Sequence, residues 1–590
     1  MKETTSVLEK FSPYGGELIL EDVSGLTSGN LNPENNVDTK QGNDRNMYSY
    51  VPISGCPHAK QTQVLMVLRN SSSKQSAEEL MNDLKLKELA EDRHFVLLFP
   101  NPSESGWNYN QDKDKEDDKA FLVRCFASLP KGKGKVAGFN GMIFYIGTDL
   151  ESNAMISTLA IVTPLDAAAI MIGEYPNDYN MPTYKDAEQV AWLYKTNGIA
   201  EKWLSSVNGN TKQEGNTYYN VDNNNVKYTI TDNGLNANEV LVAWENMFSN
   251  TRRWRNDTYG TYQARVNFTE LGFIKHVNDI SLNLNDGVER TWYEYIPEKV
   301  RNTNEKVPLV FYFHGINCTP LYGVEQSNWL NIAEKEGLIV VYPKPAIEER
   351  WNVWDDPRIP SDVSFVMALI KHMQDVHPID TSRIYISGFS MGSMFSNALA
   401  CAYPDVFAGV VACNGPNQGY LLTLDESVPG LKFYRPNTIT ANLPKSELTI
   451  SPLKILADEK RSKYEYRMPF VQFAGLLDGV GFNKDKIFPF KSDDDGMWID
   501  TIKQWKKFNA IDGSMEYVDT KCGLKASSVE EKGRYEISSW DNVENKKYYY
   551  FIVVDRMPHA VDLSEFDIGW NIIKHYRRNE DGSLGEVDNV

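Results

Sequence analysis

Along this chain, short runs of consecutive apolar residues alternate with stretches whose apolar positions return every three or four residues. In the second half the runs are "LVFYFHG" (309–315), "LIVVYPKP" (338–345), "RIYISG" (383–388) and "FAGVVACNG" (407–415). Between them lie "NWLNIAEKEG", "DVSFVMALIKHMQDV" and "SMFSNALACAY", which carry helical spacing. Strands apolar on both faces, alternating with helices, predict an α/β architecture: a mostly parallel sheet covered by helices on each side.

The same pattern occurs twice. "MYSYVP" (47–52) resembles "WYEYIP" (292–297), and "VLMVLRN" (64–70) falls on "LVFYFHG" at the same offset of 245. "LAEDRHFVLLFPNP" matches "IAEKEGLIVVYPKP", Trp107-Asn108 matches Trp351-Asn352, and Tyr145-Ile146 matches Tyr385-Ile386 at an offset of 240. So slow a drift reads as a tandem duplication. The correspondence fades near residue 175. An Asn-rich stretch, "NGNTKQEGNTYYNVDNNNVKY", then predicts loops or a hairpin, and a helix follows in "NANEVLVAWENMFSNTRRW". Two domains are expected, 1–260 and 261–590.

Composition narrows the partners. The 590 residues are 41% hydrophobic, enough for sizeable cores, and carry a net charge of −19. That balance repels phosphate backbones and anionic lipid, so neither nucleic acid nor a membrane is an expected partner. No apolar stretch is long enough to span a bilayer. The start lacks a secretory h-region, which makes a cytoplasmic location the expectation, or a secreted one if a leader has been trimmed. Six cysteines show neither paired spacing nor a zinc pattern. No phosphate-cradling glycine loop and no calcium-loop spacing appears, so neither a cofactor nor a metal is expected.

The candidate chemistry centres on Gly388-Phe389-Ser390-Met391-Gly392. A serine at a strand-to-helix turn sits at the carboxyl edge of a parallel sheet, where such folds bind ligands. Pushing its Oγ into the open needs a sharp turn, and Gly388 and Gly392 remove the side chains that would collide there. A serine hydroxyl also needs a base and an orienting acid. In this arrangement the order is serine, acid, histidine. Only His559 and His575 follow Ser390. His559 comes directly after the strand run "YYYFIVV" and is chosen; His575 sits in a helical pattern. Asp478 follows "FVQFAG" and is the preferred acid over the run Asp493–Asp495 and over Asp555. "FYFHGINC" supplies His314-Gly315 at a strand end. The Ile316 amide there, with that of Met391, is the expected oxyanion pair, and His314 is expected to brace the loop.

With these residues in hand, 285–565 resembles the α/β-hydrolases of the polyhydroxybutyrate depolymerase and feruloyl esterase group. The stretches that carry the resemblance are "GVERTWYEYIP", "PLVFYFHG", "GLIVVYP", the elbow with its preceding helix, "YPDVFAGVVACNG" and "MPHAVD". It implies two tandem α/β-hydrolase-like domains, with nucleophile Ser390, acid Asp478, base His559 and oxyanion amides Met391 and Ile316. The sequence departs from the group at Ala474-Gly475-Leu476-Leu477-Asp478, where the usual motif reads H-G-x-x-D. It departs again in a lid-like insertion at 416–468. Trp351, Trp354 and Tyr420 are candidates for stacking on an aromatic or sugar group, or for packing.

In the first copy the ungapped offset puts Leu150 opposite Ser390, and a one-residue slip would offer Asp149. Arg69-Asn70 replaces His314-Gly315. The first domain is therefore read as degenerate, able to pack on the active copy, shape its site, form a homo-oligomer or bind carbohydrate. The leading reading is a serine esterase acting on a small-molecule or oligomeric ester. Acyl transfer, peptide hydrolysis and a non-catalytic scaffold are the alternatives.

Overall fold

The computed structural model describes residues 8–9, 15–23, 45–57, 62–70, 73, 75–127, 138–162, 166–182, 187–221, 223–254, 261–265, 272–277, 282–347, 350–353, 355, 359–417, 456–457, 459–460, 465–478, 488–491, 497–555, 557 and 559–587. The chain forms two compact units, Ser6–Asn267 and Phe268–Val590.

Each unit is built on one ten-stranded sheet. The N-terminal strands are β1 (Leu18–Asp22), β2 (Asn46–Tyr50), β3 (Thr62–Leu68), β4 (Val96–Pro100), β5 (Gly138–Gly147), β6 (Ala168–Ile172), β7 (Ala191–Tyr194), β8 (Asn210–Glu214), β9 (Thr217–Asn220) and β10 (Lys227–Thr231). The C-terminal strands are β11 (Ile274–Val277), β12 (Thr291–Tyr295), β13 (Val307–Phe313), β14 (Ile339–Pro343), β15 (Ile379–Phe389), β16 (Gly409–Cys413), β17 (Phe470–Gly475), β18 (Ser528–Lys532), β19 (Tyr535–Asp541) and β20 (Lys547–Val554). The first sheet runs β1-β2-β4-β3-β5-β6-β7-β10-β9-β8 and the second β11-β12-β14-β13-β15-β16-β17-β20-β19-β18. Every strand thus has a counterpart ten numbers on, and the neighbouring pairs agree in direction. The central strands are parallel, with antiparallel edges at both ends.

The register agrees as well. Thr62 pairs with Gly138 and Val64 with Ile143, a shift repeated by Val307 with Ile379 and Leu309 with Ile384. The central strands β3, β4, β13, β14 and β16 are buried at every residue, as their apolar runs require, β3 after its polar start at Thr62-Gln63. Helices fill the matching places: α1 (Asp118–Ala127), α2 (Leu150–Val162), α3 (Ile199–Val207) and α4 (Ala237–Asn246) in the first unit, and α5 (Asp362–Val376), α6 (Met391–Ala402), α7 (Met497–Phe508) and α8 (Leu563–Ile573) in the second.

A buried brace recurs too. Arg290 binds Asp362 at 2.7 Å, the Asn352 amide donates to the same carboxylate at 2.9 Å, and the Trp351 indole donates to the His314 carbonyl at 2.8 Å. In the first unit Arg45 binds Asp118, the Asn108 amide donates to that carboxylate, and the Trp107 indole donates to the Arg69 carbonyl at 2.9 Å. The Asn-rich stretch forms β8, β9 and β10, so the likeness in topology runs well past residue 175, where the sequence match fades.

Candidate active site

The site lies at the carboxyl edge of the second sheet. Strand β15 ends at Phe389, α6 begins at Met391, and Ser390 between them takes φ 53° and ψ −117°. A positive φ is costly for a residue with a side chain, and such strain persists only where its surroundings enforce it. The glycines show how. A Cβ on Gly392 would lie 1.9 Å from the Phe313 carbonyl oxygen and 2.7 Å from that of His314; one on Gly388 would lie 2.4 Å from the Gly392 carbonyl. The first turn of α6 is therefore pressed against the end of β13. All twelve residues of α6 are buried, which explains its small side chains.

Three loops converge on the serine. The His559 Nε2 is 2.8 Å from Ser390 Oγ, and its Nδ1 is 2.9 Å from Asp478 Oδ2. Ionised Asp478 can only accept, so Nδ1 carries the proton and Nε2 is left to accept from the Ser390 hydroxyl. Asp478 is 2% exposed and the His559 side chain 15%, so the carboxylate is sealed while the imidazole meets solvent. Phe389 packs on the imidazole, with ring centroids 5.0 Å apart. The β13 loop lies alongside: a Cβ on Gly315 would come within 3.4 Å of Ser390 Cβ. His314 is buried and donates from Nδ1 to the Gly315 carbonyl at 2.8 Å, tying down the loop that carries Ile316. The Ile316 turn is closed by the Cys318 amide donating to Gly315 at 3.2 Å.

The remaining candidates divide. Trp351 is 2% exposed, stacks on Phe395 and meets Phe313 edge-on, with its indole committed to His314. The stacking role considered for it is therefore corrected: Trp351 is a core brace beneath the loop, because no ring face is left open. Trp354, Tyr420, Asp493–Asp495 and nearly all of the expected insertion at 416–468 lie outside the described residues. Asp555 bonds Arg534 through its backbone. His575 follows α8, its carbonyl accepting from the Val587 amide.

The first unit presents the corresponding strand-to-helix turn without a serine. Leu68 pairs with Gly147 as Phe313 pairs with Gly388, so the residue opposite Ser390 is Asp149. The ungapped match of Leu150 to Ser390 is thereby corrected by one position; Leu150 opens α2 as Met391 opens α6. Asp149 is not among the described residues with positive φ. Its carboxylate accepts from the Ser152 amide at 2.9 Å, the Ser152 hydroxyl at 2.9 Å and the Asn70 amide at 2.8 Å. It acts as a helix cap and ties the Asn70 loop to the start of α2. Glu151 stands where Gly392 does, so this turn carries a side chain at the position that is bare in the second unit. Among the described residues, no cluster of His, Cys, Asp or Glu could hold a metal ion, and no helix is long and apolar enough to cross a membrane.

Residues 292–420 match the family model described as esterase PHB depolymerase. A bifunctional acetylxylan esterase/xylanase of Neocallimastix patriciarum is 32% identical over 24% of this chain and 20% of its own length. Feruloyl esterase B of Thermothelomyces thermophilus is 26% identical over 23% of this chain and 48% of its own. The chain thus spans less than half the length of these curated relatives. Among solved structures, an acetyl xylan esterase from Aspergillus awamori aligns at 18% identity and a TM-score of 0.36, over 50% of this chain and 98% of that one. Over residues 292–420 the chain is thus similar to the esterase PHB depolymerase family, on a mostly parallel sheet flanked by helices.

Proposed function

We propose that this protein is a serine carboxylic-ester hydrolase whose second unit works through an acyl-enzyme. The observation that carries this is the unbroken hydrogen-bond line from Asp478 through His559 to Ser390, on a serine held at positive φ. Ser390 Oγ attacks the ester carbonyl while His559 Nε2 takes its proton and Asp478 holds the imidazolium. The amides of Met391 and Ile316 receive the developing oxyanion, each such donor contributing about 3 kcal/mol. His559 then passes its proton to the leaving alcohol, and water, deprotonated by the same nitrogen, releases the acid.

The substrate is a small to medium ester, aromatic, sugar-linked or hydroxyacyl, a reading supported by the names of the feruloyl and acetylxylan esterases and of the depolymerase family that the chain resembles. The N-terminal unit (expected at 1–260, ahead of a catalytic 261–590) is read as a degenerate copy of the same fold. The shared strand order, register shift and Arg-Asp-Trp brace support a tandem duplication. A panel of acetyl to octanoyl nitrophenyl esters with feruloyl and gallate esters, run on wild type and Ser390→Ala, tests the reading. Hydrolysis by wild type alone is expected. Equal rates from the two proteins, or none from wild type, would contradict it.

A further inference from the structure

We infer that Asn414, at the end of β16, is a positioning residue that fixes the acid and the base of the triad relative to each other; this rests on the esterase reading of the site. Asn414 is fully buried and takes φ 51°. Its side-chain oxygen accepts from the Gly475 amide at 2.7 Å, three residues before Asp478. Its side-chain nitrogen donates to the carbonyl of Ala560, the residue after His559. One amide group thus clasps both loops, with donor and acceptor each used. The adjoining residues reach the third loop: the Cys413 carbonyl accepts from the Ser390 amide at 2.8 Å, and a Cβ on Gly415 would lie 2.2 Å from the Ser390 carbonyl oxygen. The end of β16 therefore touches the backbone beside all three triad members.

The first unit provides an internal control. Phe144 pairs with Ala168 as Tyr385 pairs with Gly409, which puts Gly173 opposite Asn414. Both positions make the same backbone bond, Gly173 to the Tyr194 carbonyl at 2.8 Å and Asn414 to that of Phe473 at 2.9 Å. By the same register Thr196 stands opposite Gly475. A Cβ on Gly173 would fall 2.3 Å from Thr196 Cβ, so the threonine fills from one side the space that asparagine fills from the other. Where the serine is gone, the clasp is gone and the volume is kept. A side chain needed only for packing would not have to be an amide with both ends engaged.

The test uses the full chain with Asn414→Ala and with the paired exchange Asn414→Gly/Gly475→Thr, which imports the packing of the first unit. Gly475 is not among the described glycines with positive φ, so threonine meets no backbone bar there. With nitrophenyl acetate, kcat is expected to fall ~10- to 100-fold in both variants while KM stays within twofold, as for a misplacement of about 1 Å; melting falls in Asn414→Ala, which leaves two buried backbone groups unpaired, and changes little in the paired exchange, which refills the volume. A folded variant retaining kcat within twofold of wild type overturns the proposal. So does collapse of both variants, because the side chain would then hold the fold and not the triad. If wild type hydrolyses no ester, the esterase reading fails separately; the clasp is then read from the downfield Nδ1 proton of ¹⁵N-labelled His559. Loss of that resonance in the paired exchange supports the clasp, and its persistence overturns it.

Discussion

Replacing Gly392 by alanine probes the close packing on which the elbow depends. The added methyl would meet the Phe313 carbonyl oxygen at 1.9 Å and its carbon at 2.4 Å. Carbon–oxygen contacts settle at about 3.3 Å, so roughly 1.4 Å must be recovered. Neither side yields cheaply, because Phe313 ends a fully buried central strand and α6 is buried along its whole length. Overpacking of this kind costs at least ~3 kcal/mol. For a unit of this size that lowers the melting temperature by about 5 °C or more. The larger effect is on chemistry: retreat of α6 by ~1 Å carries the Met391 amide and Ser390 Oγ away from His559, worth ~100-fold in kcat/KM. Differential scanning fluorimetry beside nitrophenyl acetate kinetics reads both. A Gly392→Ala protein with wild-type melting and wild-type kcat/KM would refute the reasoning about the elbow.

Placing a serine in the first unit with Asp149→Ser is expected to give no new labelling by a fluorophosphonate, because that position lacks the positive-φ turn; mass-spectrometric detection of an adduct at 149 would contradict this. In the same unit, burial pushes the Asp166 carboxyl up to about 7, against the opposing pull of Arg253 and the Gln189 hydrogen bond. The folded state therefore holds a proton that the unfolded chain has released, so this group's contribution is full below pH ~4 and is lost as pH rises through about 7, on the order of 4 kcal/mol in all. Asp166→Asn should flatten the decline in stability of the first unit between about pH 4 and 7, measured by urea denaturation; an unchanged slope would count against the buried proton.

Much of the second unit is legible in the sequence because its chemistry is carried by residue type and order. Runs apolar on both faces mark central strands, and a serine between two glycines at a strand end has few structural reasons to exist. Asp478 and His559 follow from their places just beyond strands. The first unit is harder to read. Its likeness to the second persists through β10, but the connections before β7 and β8 differ in length, so the residue matches lose step while the sheet does not. The one-residue error at the elbow has a related cause: strand pairing, invisible to an ungapped comparison, sets Gly147 and not Thr148 against Gly388. Trp351 shows another limit, since a tryptophan beside a candidate site carries the same letter whether its face is open or packed on Phe395. Asn414 in "ACNGPN" offered one signal, an asparagine at a strand end where a left-handed backbone is tolerated; its two partners are distant in sequence.

The central claim, that Ser390 is an activated nucleophile, is tested most directly by treating the full chain with a fluorophosphonate and locating the adduct by peptide mass spectrometry. The account predicts one stoichiometric adduct on Ser390, formed at a rate that collapses in His559→Ala. No adduct, or one on another residue at an undiminished rate in Ser390→Ala, would contradict it.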